Sequence, residues 1–165
     1  MTSKNFLARE QKEYKIKSDT LKWPAEPTCP EREQKGDMNF LPQMKTDISA
    51  RSEHHTLIID TKYYVEALKP NQYGQLKVRS ENLYQIFSYL SAMENRPGPD
   101  KEAEGLLLYP SNGYDIDLEW IIKGHVIRVK TIDLGLDWKQ IHDNLLNIIK
   151  PPQVNQLGNR GDIDG

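Results

Sequence analysis

The residues best placed to do chemistry are Asp60, Thr61 and Lys62, which close the apolar run Leu57-Ile58-Ile59. Side chains alternate faces along a strand, so Asp60 and Lys62 point the same way. Asp47 stands on the polar face of the preceding alternating segment, Met44 to Ala50. An antiparallel hairpin centred between Glu53 and His54 sets Asp47 opposite Asp60, and two carboxylates and an ammonium then converge on one patch. Carboxylates are hard oxygen ligands that suit Mg²⁺, an ion that otherwise keeps its waters. The ion polarises a phosphate and lowers the pKa of a bound water. A lysine beside it orients that water and offsets the charge that builds during attack. The carbonyl of Thr61 is a further candidate ligand. The set therefore suits metal-assisted hydrolysis of a phosphodiester.

A D-x-K tripeptide by itself is also what a solvated strand edge carries, with a surface ion pair worth about 0–1 kcal/mol. An acid at the end of a buried apolar run fits that description less well, because burying a charge is expensive. Gln85 and Tyr89 lie four apart and so share one face of a helix, away from the Leu83, Phe87 and Leu90 stripe. Alone they read as helix surface; beside Asp47 and the D-x-K they complete a set.

These residues need elements to position them. Residues 2 to 16 read as part of a helix, and residues 24 to 37, with Pro24, Pro27, Pro30 and Gly36, as a loop. Met44 to Ala50 alternates as a half-buried strand, with Met44, Thr46, Ile48 and Ala50 on one face. A polar turn at Arg51 to His55 leads into a second strand, Thr56 to Tyr64. Residues 66 to 79 read as a loop, and Ser80 as the cap of a helix of about 14 residues. Leu83, Ile86, Phe87 and Leu90 give that helix its core face. Gly105 to Tyr109 is a short buried strand. Ile116 to Ile122 and His125 to Ile132 form a hairpin turning at Lys123-Gly124, and Trp138 to Ile149 is an amphipathic helix stopped by Pro151-Pro152. The order predicts an α/β fold, a mixed sheet flanked by helices. Residues 1–150 form the domain, and the polar, glycine-rich residues 151–165 a disordered tail.

Composition bounds the reading. The chain has 165 residues, 37% hydrophobic and 28% charged, enough for one domain with a real core. No apolar run approaches the roughly 20 residues of a membrane helix. Met1 to Glu13 has no apolar stretch of the kind a secretory signal needs. Cys29 is the only cysteine, which excludes an internal disulfide and a cysteine-based zinc site. A cytoplasmic setting is the expectation. The net charge of -2 lacks the basic excess by which proteins grip DNA unaided. His54-His55 reads as a turn rather than a metal site. Trp23, Trp120 and Trp138 read as core or edge packing, and Arg160-Gly161-Asp162 as tail.

Several segments carry a resemblance. Leu-Pro-Gln-Met-Lys-Thr-Asp-Ile (41–48), Leu-Ile-Ile-Asp-Thr-Lys-Tyr-Tyr (57–64), Asn-Leu-Tyr-Gln-Ile-Phe-Ser-Tyr-Leu (82–90) and Gly-Leu-Leu-Leu-Tyr-Pro (105–110) resemble the nuclease half of the McrC family. So do Val-Lys-Thr-Ile-Asp-Leu-Gly-Leu-Asp-Trp (129–138) and Asn-Phe-Leu-Ala-Arg-Glu-Gln (5–11). The resemblance implies a PD-(D/E)xK restriction-endonuclease-like fold and a Mg²⁺-dependent DNA endonuclease subunit of a 5-methylcytosine restriction system. Its implied partners are DNA and the GTP-driven motor McrB. Carried over, Asp47 and Asp60 are the metal-binding acids and Lys62 the catalytic lysine. Gln85 and Tyr89 resemble the Q-x-x-x-Y motif shared with RecB-like nucleases. Thr46 stands where the class name has proline. The family has an acid early in its first helix and a motor-contacting region further upstream. The chain is expected to begin inside that helix, with Glu10 and Glu13 the nearest acids. Two other readings share parts of the pattern: a RecB-like repair nuclease, and a silent assembly module that keeps the fold without the reaction. The Leu-Leu-Tyr-Pro and Asp-Leu-Gly-Leu-Asp-Trp stretches favour McrC over the first, and the intact acid-acid-lysine set argues against the second.

Overall fold

The apolar segments in the middle of the chain pair into a six-stranded mixed sheet. The structure, a computed structural model, describes residues 14–64, 67–111 and 113–150. Its strands are β1 (Lys15–Lys17), β2 (Thr20–Leu21), β3 (Met44–Lys45), β4 (Ile48–Arg51), β5 (Thr56–Thr61), β6 (Leu68–Pro70), β7 (Leu76–Val78), β8 (Glu104–Pro110), β9 (Asp117–Ile122) and β10 (His125–Ile132). The helices are α1 (Pro30–Lys35), α2 (Ser80–Met93) and α3 (Trp138–Ile149), with 3₁₀ turns at Asp37–Phe40 and Gly98–Glu102. The main sheet runs β1-β4-β5-β8-β10-β9. β4 is antiparallel to β1 and β5, β8 is parallel to β5 and β10, and β9 closes the far edge antiparallel to β10.

Each central strand is apolar on both faces because each face is covered. Ile58, Leu107, Tyr109, Ile127 and Val129 pack with Ile86, Leu90 and Met93 of α2. Leu57, Ile59, Leu106, Leu108 and Ile132 pack with Leu145 and Ile149 of α3. Gly105 lets α2 approach β8: a Cβ there would lie 2.8 Å from Ile86 Cγ1 and 3.1 Å from Leu90 Cδ1. Asp137 caps α3 by accepting from the N–H groups of Lys139 and Gln140. The β9–β10 turn falls at Lys123-Gly124, whose φ angles of 48° and 86° suit a two-residue hairpin.

Several expectations change. Lys15–Lys17 is a strand paired with β4 rather than helix, and the rest of that helical reading lies outside the described residues. Met44 to Ala50 is broken at Thr46-Asp47, so Met44 joins the α2 side of the core while Ile48 and Ala50 join the α3 side. The break exists because β3 pairs with β2, not with the main sheet. Within 24–37, Pro30 opens α1, at the helix position where a missing N–H matters least, and Gly36 ends it at φ 72°. Residues 68–78 form a hairpin in place of a loop; its strands are three residues each, too short for periodicity to reveal. Ser80 is the first residue of α2, and Arg79 at the cap position makes no side-chain capping bond. Of the tryptophans only Trp138 is mostly exposed; Trp120 lies on the edge strand β9, in line with the edge-packing reading, and Trp23 is partly covered. The expected tail and the Arg160-Gly161-Asp162 tripeptide lie outside the described residues.

Candidate functional site

The β4–β5 hairpin has the register read from the sequence: Ile48 faces Ile59 and Arg51 faces Thr56. One step beyond the last rung, Asp47 comes opposite Asp60. Here β4 has ended, and the Asp47 side chain takes over its bonding. Asp47 Oδ2 accepts from the Thr61 backbone N–H at 2.9 Å and from the Thr61 hydroxyl at 3.2 Å. Thr61 thus fixes the first acid through groups other than the carbonyl that drew attention in the sequence. The exposed Asp47 carboxylate and the buried Asp60 carboxylate are neighbours, and the Asp47 charge adds to the cost of ionising Asp60.

Asp60 is 2% exposed. Burial first, and Asp47 beside it, push its carboxyl above the usual carboxylate range, against the opposing pull of Lys62. The Lys62 ammonium meets Asp60 Oδ2 at 2.5 Å, yet that buried oxygen takes no hydrogen bond of ordinary geometry. The ammonium is thus the cation that compensates this buried carboxylate. Lys62 also donates to Gln85 Oε1 at 2.8 Å. Gln85 Nε2 donates to the Tyr89 hydroxyl at 2.9 Å, and that hydroxyl donates to the Lys45 carbonyl at 2.9 Å. The chain of donors runs one way, which fixes the orientation of the Gln85 amide. Gln85 and Tyr89 are therefore a strut that ties α2 to the ammonium at one end and to the segment before Asp47 at the other. Tyr89 is buried in the α2 side of the core rather than on a separate face. Burial raises its phenol above the ordinary value, so it remains a donor.

Further residues hold Asp47 from behind, and sequence reading missed them. The Ser18 hydroxyl donates to the Asp47 carbonyl at 2.8 Å. Asp19 and Thr46 exchange bonds: the Thr46 N–H donates to the Asp19 carbonyl, and the Asp19 N–H donates to the Thr46 hydroxyl, both at 2.9 Å. The Asp19 carboxylate pairs with Arg51, and Arg51 forks onto Asp100 at 2.7 and 3.0 Å. Burial alone would raise both carboxyls; Lys17 and Arg51 on Asp19, and Arg51 and Thr56 on Asp100, hold them below the usual range. Nothing in the local sequence marks these residues, because their partners are 32 and 49 positions away along the chain from Arg51. Three residues before Gln85 on α2, Asn82 donates to the hydroxyls of Tyr64 and Tyr109, both at 2.6 Å. Burial pushes the Tyr109 phenol up to about 12.

Among the described residues no group of three His, Cys, Asp or Glu side chains comes together, so Asp47 and Asp60 stand as a pair. Glu10 and Glu13 lie outside the described residues. His54 is exposed, and His55 is held by Tyr14 and Glu104 in a structural contact.

The family described as "McrBC 5-methylcytosine restriction system component" matches residues 6–110. The chain belongs to that family. It is an McrC-like member, 34% identical over 143 residues to the "Type IV methyl-directed restriction enzyme EcoKMcrBC" of Escherichia coli (strain K12). That match covers 87% of this chain and 39% of the relative, so the chain spans well under half of its relative's length. The family match contains every residue of the site: Asp47, Asp60, Thr61, Lys62, Gln85 and Tyr89 all lie within 6–110. No helix among the described residues is long and apolar enough to cross a membrane.

Proposed function

We propose that this McrC-like chain is the DNA-cleaving part of a 5-methylcytosine restriction system, with a PD-(D/E)xK nuclease site. The observation that carries the reading is the convergence of Asp47, Asp60 and Lys62, with Asp60 buried against the Lys62 ammonium. The residues fit Mg²⁺. Asp47 and Asp60 would hold it, with the Thr61 carbonyl a further candidate ligand and waters filling the remaining positions. Bound there, Mg²⁺ supplies charge for the scissile phosphate and acidifies a water.

The chain's own residues do the rest. Thr61 holds the Asp47 carboxylate at the mouth of the site, where its exposed oxygens can be reached by solvent and substrate. Lys62, beside Asp60, would orient the attacking water and face the charge developing on the phosphate. Gln85 keeps the ammonium on the site side of the sheet, and Tyr89 keeps Gln85 in place. DNA delivery and recognition of the methylated base are assigned to a McrB-like GTPase partner, in a cytoplasmic setting. A net charge of -2 gives little general attraction for phosphates, which is in line with a subunit that receives DNA from a partner.

One observation favours a silent module instead: Lys62 already closes on Asp60, so the acids are partly satisfied without metal. Cleavage decides between them. Plasmid carrying 5-methylcytosine is incubated with the chain, a McrB-like GTPase, GTP and Mg²⁺. The proposal expects cutting that stops on chelation of Mg²⁺ and in Lys62→Ala. Cutting that persists in Lys62→Ala rejects the assigned chemistry, and no cutting by the parent favours the silent module.

A further inference from the structure

The β6–β7 hairpin leaves from the site and returns to it. It begins a few residues after Lys62 and ends directly before α2, which carries Gln85. Its roots are held: Ala67 is buried, Val78 packs on the core, and the Arg79 guanidinium lies 4.8 Å from the centre of the Tyr64 ring. Its tip is a built turn. Asn71 Oδ1 accepts from the N–H groups of Tyr73 and Gln75, the Asn71 N–H donates to the Gln75 carbonyl, and Gly74 adopts φ 74°. Beyond the roots the hairpin is exposed, including Tyr73 and Leu76.

Lys69 and Lys77 are direct cross-strand partners, so their side chains stand side by side on one face. Like charges opposite each other weaken a two-stranded ribbon, which is marginal to begin with. Among the described residues no carboxylate pairs with either lysine. Residues 68–79 hold Lys69, Lys77 and Arg79 and no Asp or Glu, in a chain whose net charge is -2. Two ammonium groups kept together at a stability cost, on an arm rooted at a phosphodiester site, are accounted for by an anion that lies across them.

We propose that the β6–β7 hairpin is a DNA-backbone clamp in which Lys69 and Lys77 hold phosphates next to the one presented to Asp47, Asp60 and Lys62. The proposal rests on the nuclease reading for its choice of ligand. It places a local basic grip where the overall charge offers none.

The test is binding, separate from chemistry. The full chain and a Lys69→Gln/Lys77→Gln double variant are titrated onto a short fluorescein-labelled DNA duplex in EDTA, by anisotropy, over a salt series starting at low ionic strength. Each phosphate contact contributes about 0.9 to the slope of log K against log salt, so the double variant should lose about 1.8 of that slope. It should also bind more weakly at every salt concentration while unfolding no more easily than the parent, since a repulsive pair has been removed. Equal slopes and affinities overturn the clamp, as does a parent that fails to bind duplex even at low salt. So does a variant that binds DNA normally but no longer associates with the GTPase, which would make the hairpin a protein-docking element. A parent that binds with the expected slope but never cuts DNA would remove the nuclease reading and leave the clamp standing.

Discussion

Arg51→Met should unfold more easily than the parent, and the size of the loss follows from what Arg51 holds apart. Its guanidinium sits between Asp19 and Asp100, whose side chains are 8% and 12% exposed. Removing one partner of a buried ion pair costs about 3–5 kcal/mol, because the remaining charge is left without compensation. Two features reduce that figure here. Lys17 stays 3.0 Å from Asp19, and Arg96 stays 3.5 Å from Asp100. A loss of about 2–4 kcal/mol at neutral pH is therefore expected. It should shrink in acid. In the parent both carboxyls have lowered folded-state values, so their stabilisation is complete above the ordinary value of 3.8 and is lost as pH falls through the lowered values. Without Arg51 the buried carboxyls protonate more readily, and the gap between variant and parent closes as both forms become neutral. Urea denaturation of both proteins at neutral pH and in mild acid measures this. A variant within about 0.5 kcal/mol of the parent at neutral pH, the range of an ordinary surface change, would show that the guanidinium does not compensate the two buried carboxyls. So would a penalty that does not shrink in acid.

Lys62→Ala should abolish Mg²⁺-dependent cleavage and also lower stability by about 1–3 kcal/mol, since it strips a partner from buried Asp60; unchanged urea midpoints would show that the pair contributes nothing to the fold. In the metal-free chain, Asp60 has a raised folded-state value, so its stabilising contribution is present below 3.8 and declines as pH rises through that raised value. Carbon-13 carboxyl NMR should place the Asp60 titration above that of the exposed aspartates, and Asp60→Asn should remove this decline from the stability profile. Gly105→Ala should destabilise by about 1–3 kcal/mol through overpacking against Ile86 and Leu90. A melting temperature equal to the parent's would show that α2 can move off the sheet without penalty.

How much was legible in the sequence depends on how far apart the interacting residues are. The β4–β5 register followed from period-two alternation and the position of the turn, both local signals, and it brought Asp47 and Asp60 together as expected. The β9–β10 hairpin and α3 were legible for the same reason. Gln85 and Tyr89 were legible as a pair but not as a strut, because their partners Lys62 and Lys45 lie on other elements. The kink at Thr46-Asp47 was hidden for a related reason. Its cause is Asp19, on a segment whose two-residue strand gives no periodic signal. The prolines between residues 24 and 37 misled in the other direction: a proline is compatible with the first turn of a helix, and Pro30 takes that position.

Metal binding at the paired acids is the most direct test of the account. Mn²⁺, which reports its binding by electron paramagnetic resonance, is titrated into the parent chain, Asp60→Asn and Arg51→Met, with Mg²⁺ as competitor. A metal site at Asp47 and Asp60 predicts a single saturable Mn²⁺ site in the parent from which Mg²⁺ displaces the ion. That site should be lost in Asp60→Asn, where a ligand is gone, and weakened in Arg51→Met, where Asp47 loses its support through Asp19 and Thr46. Equal Mn²⁺ binding by the parent and Asp60→Asn would contradict it, since the metal would then sit elsewhere.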